Sequence, residues 1–156
     1  MASIENIINR KVLDNFNKDG AVLLKNVFKH WVDDIKIGIE KLINNPSPRE
    51  RSYKPKDGTA KFFQDLNNWK RIKEFKSFIY NSNSAVIAAK LMNSKTARFF
   101  HDHVLVKEPG SSIVTPWHQD QPYYCIKALQ SVSFWIPLDK ISYSTSLKCV
   151  AGSHLW

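Results

Sequence analysis

The residues with the clearest capacity for chemistry are His118 and Asp120, which stand two positions apart in the segment 115–124. In an extended chain, side chains at i and i+2 point to the same face and lie about 7 Å apart along the backbone. An imidazole and a carboxylate so placed supply two ligands of a 2-His-1-carboxylate site, which holds Fe(II) and leaves positions open for substrate and oxygen. The spacing predicts a metal-binding pair, and a histidine that precedes an acid by chance is the competing interpretation.

The residues around this pair favour the metal site. Pro116 and Pro122 flank it, and each proline restricts the residue before it to extended conformations. Trp117, Tyr123 and Tyr124 add aromatic bulk that can form a dry wall beside an oxygen-activating metal.

A second histidine pair offers an alternative metal site. His101 and His103 lie in a predicted strand over 98–107, where they share one face. A cupin-like protein that binds a metal through this His-x-His pair is therefore the alternative interpretation. In the same strand we expect Asp102 and Lys107 to fix the strand rather than to act in catalysis.

Ordered blocks of the chain resemble the phytanoyl-CoA dioxygenase family of Fe(II)/2-oxoglutarate-dependent oxygenases. The blocks are "NKDGAVLLKNVF", "FFHDHVLVKEPG", "TPWHQDQPYY", "SFWIPLD" and "AGSHLW", and the likeness covers the chain from about Phe16 to Trp156. The resemblance implies hydroxylation of a small organic substrate with Fe(II), 2-oxoglutarate and O₂, with ascorbate as a candidate reductant. It also implies a double-stranded β-helix.

The resemblance assigns roles to particular residues. His118 and Asp120 match the iron-binding His-x-Asp of the family. Trp135 matches a position that lines the 2-oxoglutarate pocket, and a core aromatic residue is its alternative role. Gln121, Tyr123 and Tyr124 follow the motif and are expected to face the mouth where substrate enters.

The chain also departs from the family pattern. The family uses a second, distal histidine as the third iron ligand, followed by an arginine that binds 2-oxoglutarate. The only histidine after Asp120 is His154, which fits the glycine-serine-histidine turn of the family rather than the distal ligand, and no arginine follows Arg98. We therefore expect a C-terminally truncated oxygenase that is inactive by itself.

The pattern of apolar residues predicts an α+β fold. Helical spacing predicts helices over about 4–16, 29–44, 68–80 and 84–92. Alternation and turn residues predict strands over 21–24, 62–65, 98–107, 117–126, 131–138 and 147–150. We expect one domain over 1–156, with helices in about 1–95 and the strands of a jelly-roll, cupin-like β-helix in about 96–156.

Composition narrows the functional classes further. The net charge of +9 comes mostly from lysines spread along the chain, which is typical of a solvated surface. Because the same charge could attract an acidic partner, a non-catalytic basic interaction domain is the third hypothesis. The chain has no nucleic-acid motif, no apolar run long enough for a membrane span and no signal-peptide pattern at Met1. With Cys125 and Cys149 expected to be reduced, these features predict a cytoplasmic protein.

Overall fold

The computed structural model describes residues 4–56, 58, 60–127 and 130–156. The chain divides into two compact units. The first unit comprises Met1–Lys29, Asn83–Arg98 and Gln119–Trp156, and the second comprises His30–Ser82 and Phe99–His118. The predicted single domain over 1–156 stays a prediction.

The regular elements mix helices with a small sheet. The helices are α1 (Ile4–Ile7), α2 (Arg10–Asp19), α3 (Val32–Asn44), α4 (Lys73–Asn81) and α5 (Ser84–Leu91). The strands are β1 (Phe62–Leu66) and β2 (His103–Lys107). The 3-10 helices are Lys29–Trp31, Gln121–Tyr123, Tyr143–Thr145 and Ser153–Leu155.

In the first unit, the predicted N-terminal helix is divided in two by a capping residue. The side chain of Asn9 accepts a hydrogen bond from the Val12 N–H (3.0 Å), so α2 starts there. The helix ends at Gly20, whose φ of 79° places it in the left-handed region and directs its N–H to the Phe16 carbonyl oxygen (2.9 Å).

The core of the first unit is formed mainly by α1, α2 and α5. Ile8, Ile87 and Leu91 are buried. Apolar residues packed against them include Val12, Leu13, Phe16, Val22, Leu24, Phe28, Val132 and Phe134. Because the last two come from the C-terminal part of the chain, they tie that part to the helices.

In the second unit, α3 packs against α4 and the sheet. Leu42, Phe63, Phe75 and Val104 belong to one buried cluster that joins these elements. The close approach of the helices requires Gly38, because a Cβ there would lie 2.6 Å from a ring carbon of Phe75.

The sheet consists of β1 and β2 in antiparallel register, with Phe62 opposite Lys107 and Leu66 opposite His103. The predicted strand over 62–65 is thus confirmed, while the strand predicted over 98–107 begins only at His103.

The larger sheet that the sequence predicted is not confirmed. The segments 21–24, 117–126, 131–138 and 147–150 form no strand, so these strand predictions were wrong for the residues that the structure describes. Pro116, Pro122 and Pro137 remove backbone donors from this region, and Pro122 lies in the first turn of the 3-10 helix Gln121–Tyr123 instead. The jelly roll therefore remains an expectation from the family, and the observed architecture is mixed helix and sheet.

Two carboxylates fix the backbone of the second unit. Asp65 is fully buried and accepts hydrogen bonds from the N–H and Oγ of Ser47 (2.7 and 2.6 Å) and from the N–H of Leu66 (2.7 Å). Asp102 accepts from the N–H groups of Asn68 (3.0 Å) and Trp69 (2.9 Å). These contacts hold the turn between β1 and α4, which agrees with the structural role predicted for Asp102.

Two further predictions concern the cysteines and the membrane. Cys125 and Cys149 are free thiols, as predicted. Within the described part of the chain, no helix has both the length and the apolar character needed to cross a bilayer.

The Asp65 carboxylate supplies a stability prediction. Burial alone would raise the pKa of Asp65, but hydrogen bonds from Ser47, Asn68 and the Leu66 N–H outweigh that effect and lower the pKa. Asp65→Asn should lower the free energy of unfolding at neutral pH by about 2–3 kcal/mol, measured by urea denaturation. The change should be much smaller for Asp14→Asn, because Asp14 forms an exposed pair with Arg10.

The difference in unfolding free energy between wild type and Asp65→Asn should depend on pH in a definite direction. A carboxyl whose folded-state pKa is lowered stabilises the fold above its unfolded pKa of about 3.9, and this contribution is lost as pH falls through the folded pKa. The gap in unfolding free energy between wild type and Asp65→Asn should therefore shrink below about pH 4. A gap that stays constant through this range would contradict the assignment.

Candidate metal-binding site

His118 lies in a segment without regular secondary structure, at the end of the second unit. Its Nδ1 lies 2.7 Å from the carbonyl oxygen of Pro116. Because a carbonyl oxygen can only accept, Nδ1 is the donor in this hydrogen bond. In the neutral imidazole the lone pair then resides on Nε2, so Nε2 is the nitrogen that can bind a metal in this tautomer.

Asp120 begins the 3-10 helix Gln121–Tyr123 in the first unit. Its backbone is helical (φ −73°, ψ −34°), and its carbonyl oxygen accepts from the Tyr123 N–H (2.9 Å). The prediction that His118 and Asp120 share one face of a strand was therefore wrong about the strand. Their role as metal ligands stays a prediction.

The Asp120 carboxylate is oriented by a tyrosine. The Tyr124 hydroxyl donates to Oδ2 of Asp120 (3.3 Å). Burial is the main cause that raises the pKa of Tyr124, and the negative charge of Asp120 adds to it, while a hydrogen bond with Ser133 acts in the opposite direction. The phenol thus keeps its proton at neutral pH and remains a donor to Asp120.

The other residues predicted to contact substrate differ in their exposure. Gln121 donates from Nε2 to the Ile126 carbonyl oxygen (2.9 Å), which holds its amide within the turn. Tyr123 is 78% exposed and presents its ring at the surface of the first unit.

Trp135 lies in a segment with alternating burial but no strand pairing. Val132, Phe134 and Ile136 are partly buried, whereas Ser133 and Trp135 are exposed. Trp135 is 48% exposed, so its ring is reachable by a small molecule. Ser133, two residues earlier and also exposed, forms a hydrogen bond with Tyr124.

The alternative pair, His101 and His103, is divided by the start of β2. His103 is the first residue of β2, and His101 lies before it with its ring stacked edge-on against Phe100 (4.7 Å between centroids). The two imidazoles therefore do not share the strand that the alternative hypothesis assumed.

No group of three His, Cys, Asp or Glu side chains that could hold a metal ion occurs among residues 4–56, 58, 60–127 and 130–156. The donors available at the predicted position are one imidazole nitrogen and one carboxylate. This donor set fits Fe(II) in type, because Fe(II) takes both imidazole and carboxylate ligands. It provides two of the three protein ligands of a facial triad.

A cavity of about 460 Å³ opens elsewhere in the second unit. Its lining consists of Tyr53, Pro55, Lys56, Ser112 and Ile113. The predicted ligands lie outside this lining.

Two contacts of the site could not be read from the sequence. The Pro116 carbonyl that fixes the His118 tautomer is a backbone group, which has no sequence signal. Ser133 was assigned to a strand, and nothing in its neighbourhood indicated a contact with Tyr124.

Comparison with protein families gives one match. The family model Phytanoyl-CoA dioxygenase (PhyH) matches residues 16–156, a range that includes both predicted ligands. No curated protein and no solved structure matches the chain.

The contact between Tyr124 and Asp120 can be tested by titration. Asp120→Asn removes the negative charge and should lower the pKa of Tyr124, but only partly, since burial is the larger cause. NMR of ¹³C-labelled tyrosine rings as a function of pH measures this change. Asp14→Asn, which removes a charge paired with Arg10 instead, should leave the Tyr124 titration unchanged. An identical Tyr124 titration in wild type and Asp120→Asn would contradict the contact.

Proposed function

Because the chain belongs to the phytanoyl-CoA dioxygenase family, we propose that it binds Fe(II) and 2-oxoglutarate as a dioxygenase that hydroxylates a small organic substrate. The observation that carries this proposal is that the family match spans the His118-x-Asp120 motif, whose donor types suit Fe(II). When bound, Fe(II) and 2-oxoglutarate supply the oxidising chemistry, and O₂ is the second substrate.

His118 contributes a neutral imidazole. Its hydrogen bond to the Pro116 carbonyl holds the proton on Nδ1 and directs the lone pair to Nε2. The same bond fixes the ring orientation, which lowers the entropy that the side chain loses when it binds a metal.

Asp120 contributes the carboxylate, which Tyr124 orients through its hydroxyl. The raised pKa of Tyr124 means that this donor stays protonated at neutral pH. Covalent geometry keeps the Cα atoms of His118 and Asp120 within about 7 Å of each other.

The remaining residues are assigned to the organic ligands. Trp135 is proposed to border 2-oxoglutarate, since its ring is reachable and it stands two residues from Ser133, which contacts Tyr124. Tyr123 is proposed to contact substrate through its exposed ring. Gln121 is also proposed to contact substrate. It would do so through its amide oxygen, because its amide nitrogen donates a hydrogen bond to the Ile126 carbonyl oxygen.

Metal affinity of single variants tests the ligand assignment. His118→Ala and Asp120→Ala should each weaken Fe(II) binding to the chain at least about tenfold, because each removes a donor atom. Anaerobic titration with Fe(II), or with Co(II) followed by its visible absorption, gives the dissociation constants.

His103→Ala and His101→Ala are the matched controls, since each removes an exposed or half-buried imidazole from the second unit. They should leave the affinity unchanged. If His103→Ala abolishes binding and His118→Ala does not, the cupin-like alternative is correct.

The role of Trp135 is tested separately. Trp135→Ala should weaken 2-oxoglutarate binding to the metal-loaded chain about tenfold, a loss of the size expected for one aromatic contact, while metal affinity stays the same. Calorimetric titration with 2-oxoglutarate measures this. Tyr143→Ala removes an aromatic ring that is 94% exposed in the same unit, and it should have no effect. Equal 2-oxoglutarate affinity in wild type and Trp135→Ala would contradict the assignment.

A further inference from the structure

The C-terminal end of α2 is capped by a distant turn of the chain. The last carbonyl groups of a helix have no partner within it. At the end of α2, the Gly20 N–H donates to the Phe16 carbonyl oxygen, and the Gly152 N–H donates to the Asp19 carbonyl oxygen (3.0 Å). The segment 152–155, which we name the capping turn, therefore completes the helix that begins the first unit.

His154 in the capping turn uses its ring for the same purpose. Its Nε2 lies 3.2 Å from the carbonyl oxygen of Asn17, so Nε2 is the donor. Its Nδ1 lies against Gly20, where a Cβ would be only 2.4 Å from that nitrogen. Nε2 thus donates to the helix, and Nδ1 lies so close to Gly20 that a side chain at position 20 would clash with it.

The capping turn also contacts the metal-binding motif. The carbonyl oxygen of Ser153 accepts from Nε2 of Gln119 (2.8 Å). Gln119 is covalently joined to Asp120, and both belong to the first unit with the capping turn and α2. Two hydrogen bonds, joined by the peptide bond between Ser153 and His154, therefore connect the α2 carbonyl of Asn17 to Gln119, the residue that precedes Asp120.

We propose that the capping turn positions Asp120 for metal binding, with His154 as a positioning residue and not an iron ligand. The hydrogen bond to Asn17 and the packing on Gly20 fix the turn on the rigid helix, and the Gln119–Ser153 bond transmits that position to the motif. The metal-related part of this inference rests on the proposed function. The positional part concerns the chain alone.

Two substitutions of His154 separate positioning from ligation. In glutamine, the amide nitrogen occupies nearly the place of Nε2 and can donate to Asn17, but it is a poor metal ligand. His154→Gln should therefore retain the metal affinity of the wild type, and His154→Leu should weaken it by about 10–100-fold, as for loss of other supporting contacts around metal ligands. Equal, severe loss in both variants would make His154 a ligand and overturn the proposal.

Gly20→Ala tests the packing without touching the turn. Its Cβ would displace the His154 ring, and its φ of 79° adds backbone strain. Gly110→Ala is the matched control, since Gly110 has a φ of 84° with no described atom within 4 Å of an added Cβ. We expect Gly20→Ala to reproduce the effect of His154→Leu, and Gly110→Ala to retain wild-type behaviour.

A measurement without metal keeps the proposal independent of the proposed function. Hydrogen exchange of the Gln119 side-chain amide and the NMR signal of the Asp120 N–H report the position of the motif directly. Both should change in His154→Leu and Gly20→Ala and return to wild-type values in His154→Gln. If the Gln119 and Asp120 signals are the same in all variants, the proposal is overturned. If these signals change as expected but the chain binds no metal, only the proposed function is contradicted.

Discussion

A neutral imidazole has one N–H group, and the carbonyl that accepts from it decides which nitrogen keeps the lone pair. This constraint distinguishes two histidines of the C-terminal half. The Pro116 carbonyl oxygen accepts from Nδ1 of His118, so the lone pair of that ring is on Nε2. The Asn17 carbonyl oxygen accepts from Nε2 of His154, whose Nδ1 lies against Gly20. The first arrangement suits the metal ligand that we propose, and the second fixes a helix end.

The helices of the fold could be predicted from the sequence because helical hydrogen bonds are local. The helices predicted over 29–44 and 84–92 agree closely with α3 and α5, whereas the helix predicted over 68–80 begins only at Lys73, and the cap at Asn9 was not predicted. Strands depend on partners far along the chain, so alternation alone was insufficient. The segment 131–138 shows this well: its burial alternates as in a strand, yet it pairs with no neighbour in the described part of the chain.

The candidate site could be predicted by residue type but not by geometry. The His-x-Asp motif and its aromatic neighbours were found because their chemistry is visible in the side chains, and the family match covers them. The helical backbone of Asp120 and its hydrogen bond from Tyr124 were missed, since both accompany the 3-10 helix Gln121–Tyr123, which Asp120 caps. The contact of Gln119 with Ser153 spans 34 residues, and no local pattern could indicate it.

The identity of the ligands is tested most directly by adding Mn²⁺, a paramagnetic substitute for Fe(II), to the chain with ¹³C-labelled histidine and tyrosine rings. Bound Mn²⁺ broadens the NMR signals of nearby nuclei. Ligation by His118 and Asp120 predicts that the His118 ring signals broaden at the lowest Mn²⁺ concentration, followed by those of Tyr124, which contacts Asp120. Broadening that starts at His101 and His103, or at His154, would contradict the account.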